Sequence, residues 1–565
     1  MMQMIASGFF SGDPDPHLVF INILVGWVLC FLYNLWPGCN WYFIFLVAVH
    51  YAALTLIAFV LVSRRGGWIF ALLYIGFFLI VETRILLHLQ FTTTAFLAGT
   101  AGLLLLVDGL QPGQPVHRLK YVGGIALIVL MILVREAAAL LLAVIAFPFL
   151  WERLGVVGWR RLLGMALACM GVFLILHGLN RWAYQSSPAW GDFFEYNRVR
   201  GEIHATELAD YLPKAASAVG WSNNDQWMYG KFYFPDPDVY AGLPRMHLLL
   251  ETLKAFERQE RKSAISFSAD YLWLPGVFTQ DARTPDSSIL MKLAILNALF
   301  CLFAARVHRT RCFVTLLVSY AVFTALGFYL LETARLPERV SYNIPLFLHV
   351  ICLYWATGLQ TLPNGAARSS LMDVFITPRA LTKTIRMVIL VLILVWTELC
   401  LFSLSQLAQS LWSANQFNRN LKVVSRRILN PIKALLPSQA RPVLIIKPER
   451  SVLEQCLFFL ASRETMPFSI VPYGWLTHSP IFYHVLDHNR LHPFSLSLLN
   501  RSDVFFLMPA KWSEPLRKFY REHYGLDIRF HTVLNTDTMP SYEDYRLRLY
   551  QARTTSDHAT VDSGP

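Results

Sequence analysis

Residues 41–62 read WYFIFLVAVHYAALTLIAFVLV, with no Asp, Glu, Lys or Arg among them. A helix needs roughly twenty apolar residues to cross the ~30 Å hydrocarbon core of a bilayer. This run is one of several: segments 68–87, 91–108, 121–134, 137–150, 162–179, 287–305, 312–331, 342–360 and 387–408 have the same character. The whole chain agrees, since 55% of its 565 residues are hydrophobic and only 15% charged, with a mean hydropathy of +0.43. A soluble chain carries about 25% charged residues. The sequence therefore reads as a polytopic α-helical membrane protein. Segment 18–36 is long enough to cross as well, or to lie as a re-entrant or interfacial helix, so about ten or eleven membrane helices are expected. The short pieces 121–134 and 137–150 meet at Arg135-Glu136, as a broken or tilted pair would.

The net charge of +12 is carried by Lys and Arg at helix ends rather than along one soluble face. That pattern points to topology and lipid-phosphate contact, and no nucleic-acid partner is expected. Arg64, Arg65, Arg118, Lys120, Arg153, Arg160, Arg161, Arg306, Arg309, Arg311, Arg368, Arg379 and Lys383 fall on one side of the span map. The positive-inside rule makes that side the cytoplasm. The loop 180–286 and the C-terminal region then face outward. Residues 415–441 carry six Lys or Arg and no acid, which alone would favour the opposite side. Large domains translocate largely regardless of charge, so the short loops decide. That basic stretch is either a solvated linker or lies on lipid phosphates. Of eight cysteines, Cys30, Cys169, Cys301, Cys352 and Cys400 fall in apolar spans, and the C-terminal domain holds only Cys456. Neither a disulfide framework nor a Cys-based zinc site is expected. The opening MMQMIASGFFSGDPDPH lacks a basic n-region and is not expected to be a cleaved signal.

The resulting layout is N-terminal membrane helices over 1–179, an extracytoplasmic loop over 180–286 and further membrane helices over 287–408. A basic linker (409–441), a small α/β domain (442–552) and a disordered tail (553–565) follow. The α/β reading rests on PVLIIKP at 442–448 and DVFFLMP at 503–509 as strands, with DIRFHTVL at 527–534 as a third. Helical stretches fall near 452–462, 479–489 and 513–524. The domain contains neither a Gly-rich phosphate loop nor a metal-spaced His cluster, and its plainest role is packing or recognition.

Ionisable residues at membrane depth are costly and functional by default. Glu82, Arg84 and His88 close one span, and Arg135-Glu136 interrupts another. The loop LETARLPERVSYNIP offers Arg335 and Arg339 beside Glu332 and Glu338. The long loop reads WAYQSSPAWGDFFEYNRVRGEIH at 182–204 and GWSNNDQWMYGKFYFPDPDVY at 220–240. Two readings stay open for each cluster: neighbouring ion pairs that neutralise one another, or anion capture. Arg binds phosphate bidentately and stays charged, so Arg135, Arg198, Arg200, Arg335 and Arg339 are candidates for holding a lipid-linked phosphate. Glu136, Glu195, Asn197, His204, Trp221 and Asp225 are candidates for binding the rest of a substrate. Trp182, Trp190, Trp221, Trp227, Tyr229 and Tyr233 suit either stacking on sugars or anchoring at the lipid interface. Asp13 and Asp15, in Asp13-Pro-Asp15-Pro-His17, either cap a Pro-rich turn or provide a general base.

The run IASGFFSGDPDPHLVFINILVGWVLCFLYNLWPGCNWY at 5–42 resembles the first extracytoplasmic loop of a family of bacterial polytopic membrane proteins. FFEYNRVRGEIH, GWSNNDQWMYGKFYF and RLPERV resemble stretches of that family's later loops, so the likeness covers most of residues 1–345. The family is similar in layout to the C-type membrane glycosyltransferases, which use polyprenyl-phosphate sugars. The resemblance implies transfer of a sugar from such a donor to an envelope glycan, lipid or protein acceptor on the outer face. The reaction would be a single inverting displacement, with a loop carboxylate activating the acceptor and Arg residues stabilising the departing phosphate. In the family an initial helix and an Asp-Asp pair precede this stretch and supply the base. The chain begins at Met1, where those elements would lie behind it. The expectation is therefore a late start or a lost base, with Asp13 and Asp15 as its neighbours or substitutes. No cofactor is demanded, although a divalent cation at an acidic pair is compatible with this chemistry. An O-antigen-type polymerase or ligase is the alternative enzyme, and a polysaccharide or lipid transporter the alternative outside catalysis. Against a transporter, the hydropathy shows no internal repeat.

Overall fold

The computed structural model describes residues 2–63, 89–110, 117–204, 206–231, 236–240, 242–261, 343–358, 442–446, 468–472, 474–535 and 547–555, with isolated helical positions between 314 and 326 and between 405 and 412. The expected spans 68–87, 287–305 and 387–408 lie wholly or almost wholly outside these residues. A short α1 (Met2–Ala6) and α2 (Ile23–Leu35) lead into α3 (Trp41–Ser63), α4 (Phe91–Gly109), α5 (Arg118–Val134), α6 (Glu136–Val157) and α7 (Trp159–Gln185). Among the described residues, four helices are long and apolar enough to cross a membrane: α3, α4, α6 and α7. The protein is a helical membrane protein with a small C-terminal sheet domain.

Helix α4 is the centre of the membrane group, with nearly every residue buried. It can be so because small residues let backbones approach where apolar burial itself gives no drive in lipid. A Cβ on Gly102 would lie 2.8 Å from the Gly124 carbonyl oxygen of α5, so the two helices touch backbone to backbone. At the other end of the pair, Lys120 Nζ meets Asp108 Oδ2 at 2.6 Å. His50 of α3 bonds Thr94 Oγ1 of α4 at 2.7 Å within the buried interior. Helix α11 (Asn343–Gly358) adds Phe347 against Phe96 and Tyr354 against Phe149.

Several expected boundaries move, the span expected to end at 150 running on to Val157. Segment 18–36 is non-helical up to Asn22, and its helix α2 has only 13 residues. At 1.5 Å per residue that is about 20 Å, short of the hydrocarbon core. Val25, Leu29 and Tyr33 are buried, whereas Trp27, Phe31 and Leu35 form an exposed apolar stripe. Of the two readings open for this segment, the helix length favours the re-entrant or interfacial one. Helix α7 does not stop at 179: its 27 residues run to Gln185. They span about 40 Å, enough to carry Asn180 and Tyr184 beyond the core.

After α7 in the chain come α8 (Pro188–Ile203), α9 (Asn223–Gly230) and α10 (Leu243–Arg261). Pro188 opens α8 at a position where its missing N–H costs nothing. The C-terminal domain has β1 (Val443–Ile446), β2 (Ser469–Val471), β3 (Val504–Pro509), β4 (Ile528–Asn535) and β5 (Leu547–Thr554), with helices numbered here α12 (Pro480–His488) and α13 (Ser513–Tyr524). Its sheet order is β2-β1-β3-β5-β4, parallel across β2-β1-β3 and antiparallel across β3-β5-β4. The three expected strands are present, joined by β2 and β5. Strand β5 also runs past 552 into the stretch expected to be a disordered tail. Leu18, Val25, Trp190, Val199, Phe482 and Phe506 belong to one continuous buried core. The N-terminal loop, the long loop and the C-terminal domain therefore pack together around that core.

Candidate functional site

Loop 7–22 is pinned to the ends of the membrane helices rather than draped over them. The Asn22 amide N–H donates to the Leu133 carbonyl of α5 at 2.9 Å, and its side-chain amide donates to Leu176 O of α7 at 3.1 Å. Ile23 N–H donates to Asn180 Oδ1 at 2.9 Å. Val19 N–H donates to the Tyr184 hydroxyl at 2.8 Å. Val19 itself has φ +69°, a left-handed conformation that a β-branched residue adopts only under constraint. A Cβ on Gly26 would run into the Pro16 carbonyl, so α2 and the loop pack with no space for a side chain there.

This anchoring sets a carboxylate–imidazole pair. Asp15 Oδ1 accepts both the His17 backbone N–H and the His17 Nδ1 contact, each at 2.8 Å. The His17 ring stacks on Trp190 of α8 at 4.5 Å and meets Tyr184 edge-on at 5.1 Å. Asp13 is exposed beside it. Near the same helix ends, Arg135 breaks α5 from α6 with an extended backbone. Its guanidinium lies over the rings of Phe20 and Phe91, at 5.6 and 5.7 Å. Glu136 opens α6 and bonds His177 Nδ1 of α7 at 2.8 Å. Asn22, Arg135, Glu136 and His177 thus form a polar layer where the apolar spans end.

The remaining candidates sit differently. Arg200 is fully buried and donates to the carbonyls of Gly474 at 3.0 Å and Trp475 at 2.9 Å, with Asn197 Oδ1 at 2.6 Å orienting it. Its donors join α8 to the C-terminal domain instead of facing a pocket, and burial lowers its pKa. Arg198 forks onto Glu195 at 2.6 and 2.8 Å and also bonds Glu202 on the exposed face of α8. His204 stacks on Tyr229 at 4.7 Å, and burial, helped by the Arg200 charge, pushes its pKa down to about 3. Trp221 is buried against Tyr229 and Tyr240. Of the other aromatic candidates, Trp182 is exposed on α7, whereas Trp227 lies over Trp512 of the C-terminal domain at 4.6 Å. Arg335, Arg339, Glu82, Arg84, His88 and Tyr233 lie outside the described residues.

Asp225 is buried at the interdomain seam. Its Oδ1 accepts from Tyr240 at 2.7 Å and meets His523 Nε2 at 2.9 Å, while Oδ2 accepts Ser222 N–H at 2.9 Å. Glu522 completes a group whose ligand-type atoms lie within 4.8 Å of one another. A His and two carboxylates suit a divalent cation, but both Asp225 oxygens already accept protein donors. The arrangement explains itself as an ion pair between loop and domain. Asp236 repeats the pattern, accepting from Tyr524 at 2.6 Å and from Ser495.

His17, Asn22, His177 and Tyr184 escape a reading of the sequence. His17 was legible only as the end of a Pro-rich turn, and Glu136 and His177 lie 41 positions apart with nothing in their spacing to pair them. No family model matches the chain, and neither does any curated protein or solved structure.

Proposed function

We propose that the protein is a membrane glycosyltransferase that takes a sugar from a polyprenyl-phosphate donor and passes it to an envelope glycan, lipid or protein acceptor. The observation that carries this reading is the placement of an Asp15–His17 pair, of Arg135 and of a Glu136–His177 pair at or near the ends of the apolar helices α5, α6 and α7. Ionisable groups placed there mark a substrate path rather than a fold requirement. A lipid-linked phosphate enters such a site from the bilayer with its sugar in the polar layer. Arg135 is the residue assigned to the donor phosphate: it stands at the helix break, held by two aromatic faces. The N-terminal loop supplies the base that activates the acceptor hydroxyl.

The short-loop charges support an outward face for this site in a bacterial inner membrane. Residues 415–441 argue the other way, but the C-terminal domain shares its core with loop 188–261. The two go to one side together, so the several short loops outweigh the single basic stretch. Photo-crosslinking tests the donor site. A polyprenyl phosphate carrying a photoreactive sugar should label the peptide around Arg135, in competition with unlabelled polyprenyl phosphate. Labelling confined to the C-terminal domain, or insensitive to the competitor, contradicts the assignment.

A further inference from the structure

The geometry points to His17, held by Asp15, as the general base of this site. The inference rests on the transferase reading but names a group that the acidic-pair expectation did not. Asp15 Oδ1 is 2.8 Å from Nδ1 of His17 and also accepts the His17 amide N–H at 2.8 Å. A carboxylate at that nitrogen fixes the proton on Nδ1 and leaves Nε2 with its lone pair. Two aromatic contacts flank the ring: Trp190 lies flat against one face and Tyr184 abuts it edge-on. The backbone beneath is fixed by the constrained φ of Val19, its bond to Tyr184 and the close approach of Gly26 to Pro16. The imidazole nonetheless keeps 18% of its side-chain surface exposed, and Asp15 26%. Strain and fixed geometry around a partly exposed imidazole are features of a prepared reacting group, whereas a packing histidine needs neither.

In the step this implies, Nε2 of His17 accepts the proton of the acceptor hydroxyl as the acceptor oxygen bonds to the sugar's anomeric carbon. The anomeric C–O bond to phosphate breaks, and its electron pair leaves with the polyprenyl phosphate. The proton then passes from the imidazolium to that phosphate monoester or to water, so His17 ends as it began. Asp15 is a positioning residue throughout. It touches neither sugar nor acceptor.

Two measurements on the full chain in lipid test this. Solid-state 15N spectra of histidine-labelled protein, with His17 assigned by its loss in His17→Gln, should show a protonated Nδ1 and a bare Nε2. Asp15→Asn should redistribute that proton, and Asp15→Glu should restore it in part. A wild-type Nε2–H tautomer, or an imidazolium at neutral pH, overturns the proposal. In transfer from undecaprenyl-phosphate [14C]glucose to an envelope fraction, His17→Gln should lower turnover by about 10²–10⁴-fold with the donor KM unchanged. Asp15→Asn should lower turnover in the same sense and Asp15→Glu less. Wild-type transfer with full turnover in His17→Gln overturns the base alone. Absence of transfer by the wild type overturns the transferase reading and the role of base with it, while the tautomer result stands separately.

Discussion

Arg200 of α8 donates to the Trp475 carbonyl at 2.9 Å and lies over the same residue's indole ring at 4.8 Å. With Gly474 O as a second carbonyl acceptor, one buried guanidinium fastens the long loop to the C-terminal domain. Charged hydrogen bonds of this kind contribute about 1.5–3 kcal/mol each, and removal of the donor leaves carbonyls unpaired. Arg200→Ala should therefore loosen the seam by about 3 kcal/mol, and Arg200→Lys should rescue it poorly because a point charge cannot reproduce the fork. Limited proteolysis in detergent checks this: the C-terminal domain should be released faster in both variants. Equal release rates would show that the seam holds without this residue.

Gly26→Ala places a methyl group against the Pro16 backbone, which no side-chain rotation can relieve. Overpacking of this kind costs typically 1–3 kcal/mol, and here the strain falls on the loop that carries Asp15 and His17. The variant should keep its membrane insertion yet lose thermal stability, and with it any activity of the site. A thermal melt unchanged from wild type would mean that α2 and the loop are not in contact.

The Asp225–His523 pair makes the seam sensitive to pH. Burial pushes the Asp225 carboxyl up, but its bonds from His523, Tyr240 and the Ser222 amide outweigh that and hold it below its ordinary 3.8. The bond to Asp225 raises His523 above its ordinary 6.5, against some loss to burial. The raised group contributes fully below 6.5 and loses its contribution as pH climbs through its higher folded value. The lowered group contributes fully above 3.8 and loses its contribution as pH falls through its lower folded value. Release of the C-terminal domain should be slowest between those two limits and quicken on either side. His523→Gln should flatten the alkaline limb. A wild-type profile without that limb would remove the pair from the seam's stability.

Helix α2 should lie in the membrane interface, because its 13 residues are short for a span and Trp27, Phe31 and Leu35 form its exposed stripe. A nitroxide placed at Phe31→Cys in a cysteine-depleted chain should report a depth of roughly 5–10 Å below the headgroups. A depth at the bilayer centre would restore a crossing.

Much of the membrane fold was legible in the sequence because burial in lipid demands unbroken apolar runs. Trp41–Ser63 and Phe91–Gly109 lie within a residue of the runs read from hydropathy. The break at Arg135 was visible for the same reason, as two charges in an apolar stretch. Boundaries set by packing were not. Helix α7 continues through Arg181 to Gln185, where Tyr184 accepts from Val19 of loop 7–22 and Asn180 from Ile23 at the start of α2, contacts between positions more than a hundred residues apart. Strand β5 shows alternation in LRLYQART, with Leu549 buried against the sheet, but it is not among the strands expected for the domain, and its last two residues fall in the expected tail. At the site, residue types suggested anion capture for Arg200, and only the fold reveals its bonds to two backbone carbonyls. The pairing of Asp15 with His17 is local in sequence. What makes it a site is Trp190 and Tyr184, which only the tertiary structure brings to the ring.

The most direct test of the central claim is sugar transfer by membranes that contain the full chain, with a labelled polyprenyl-phosphate sugar as donor and an envelope fraction as acceptor. Transfer should depend on the chain and release polyprenyl phosphate, and Arg135→Ala should lower it by about 10²–10³-fold through the missing phosphate partner. Transfer that continues undiminished in Arg135→Ala, or label that never leaves the donor in the wild type, would contradict that claim.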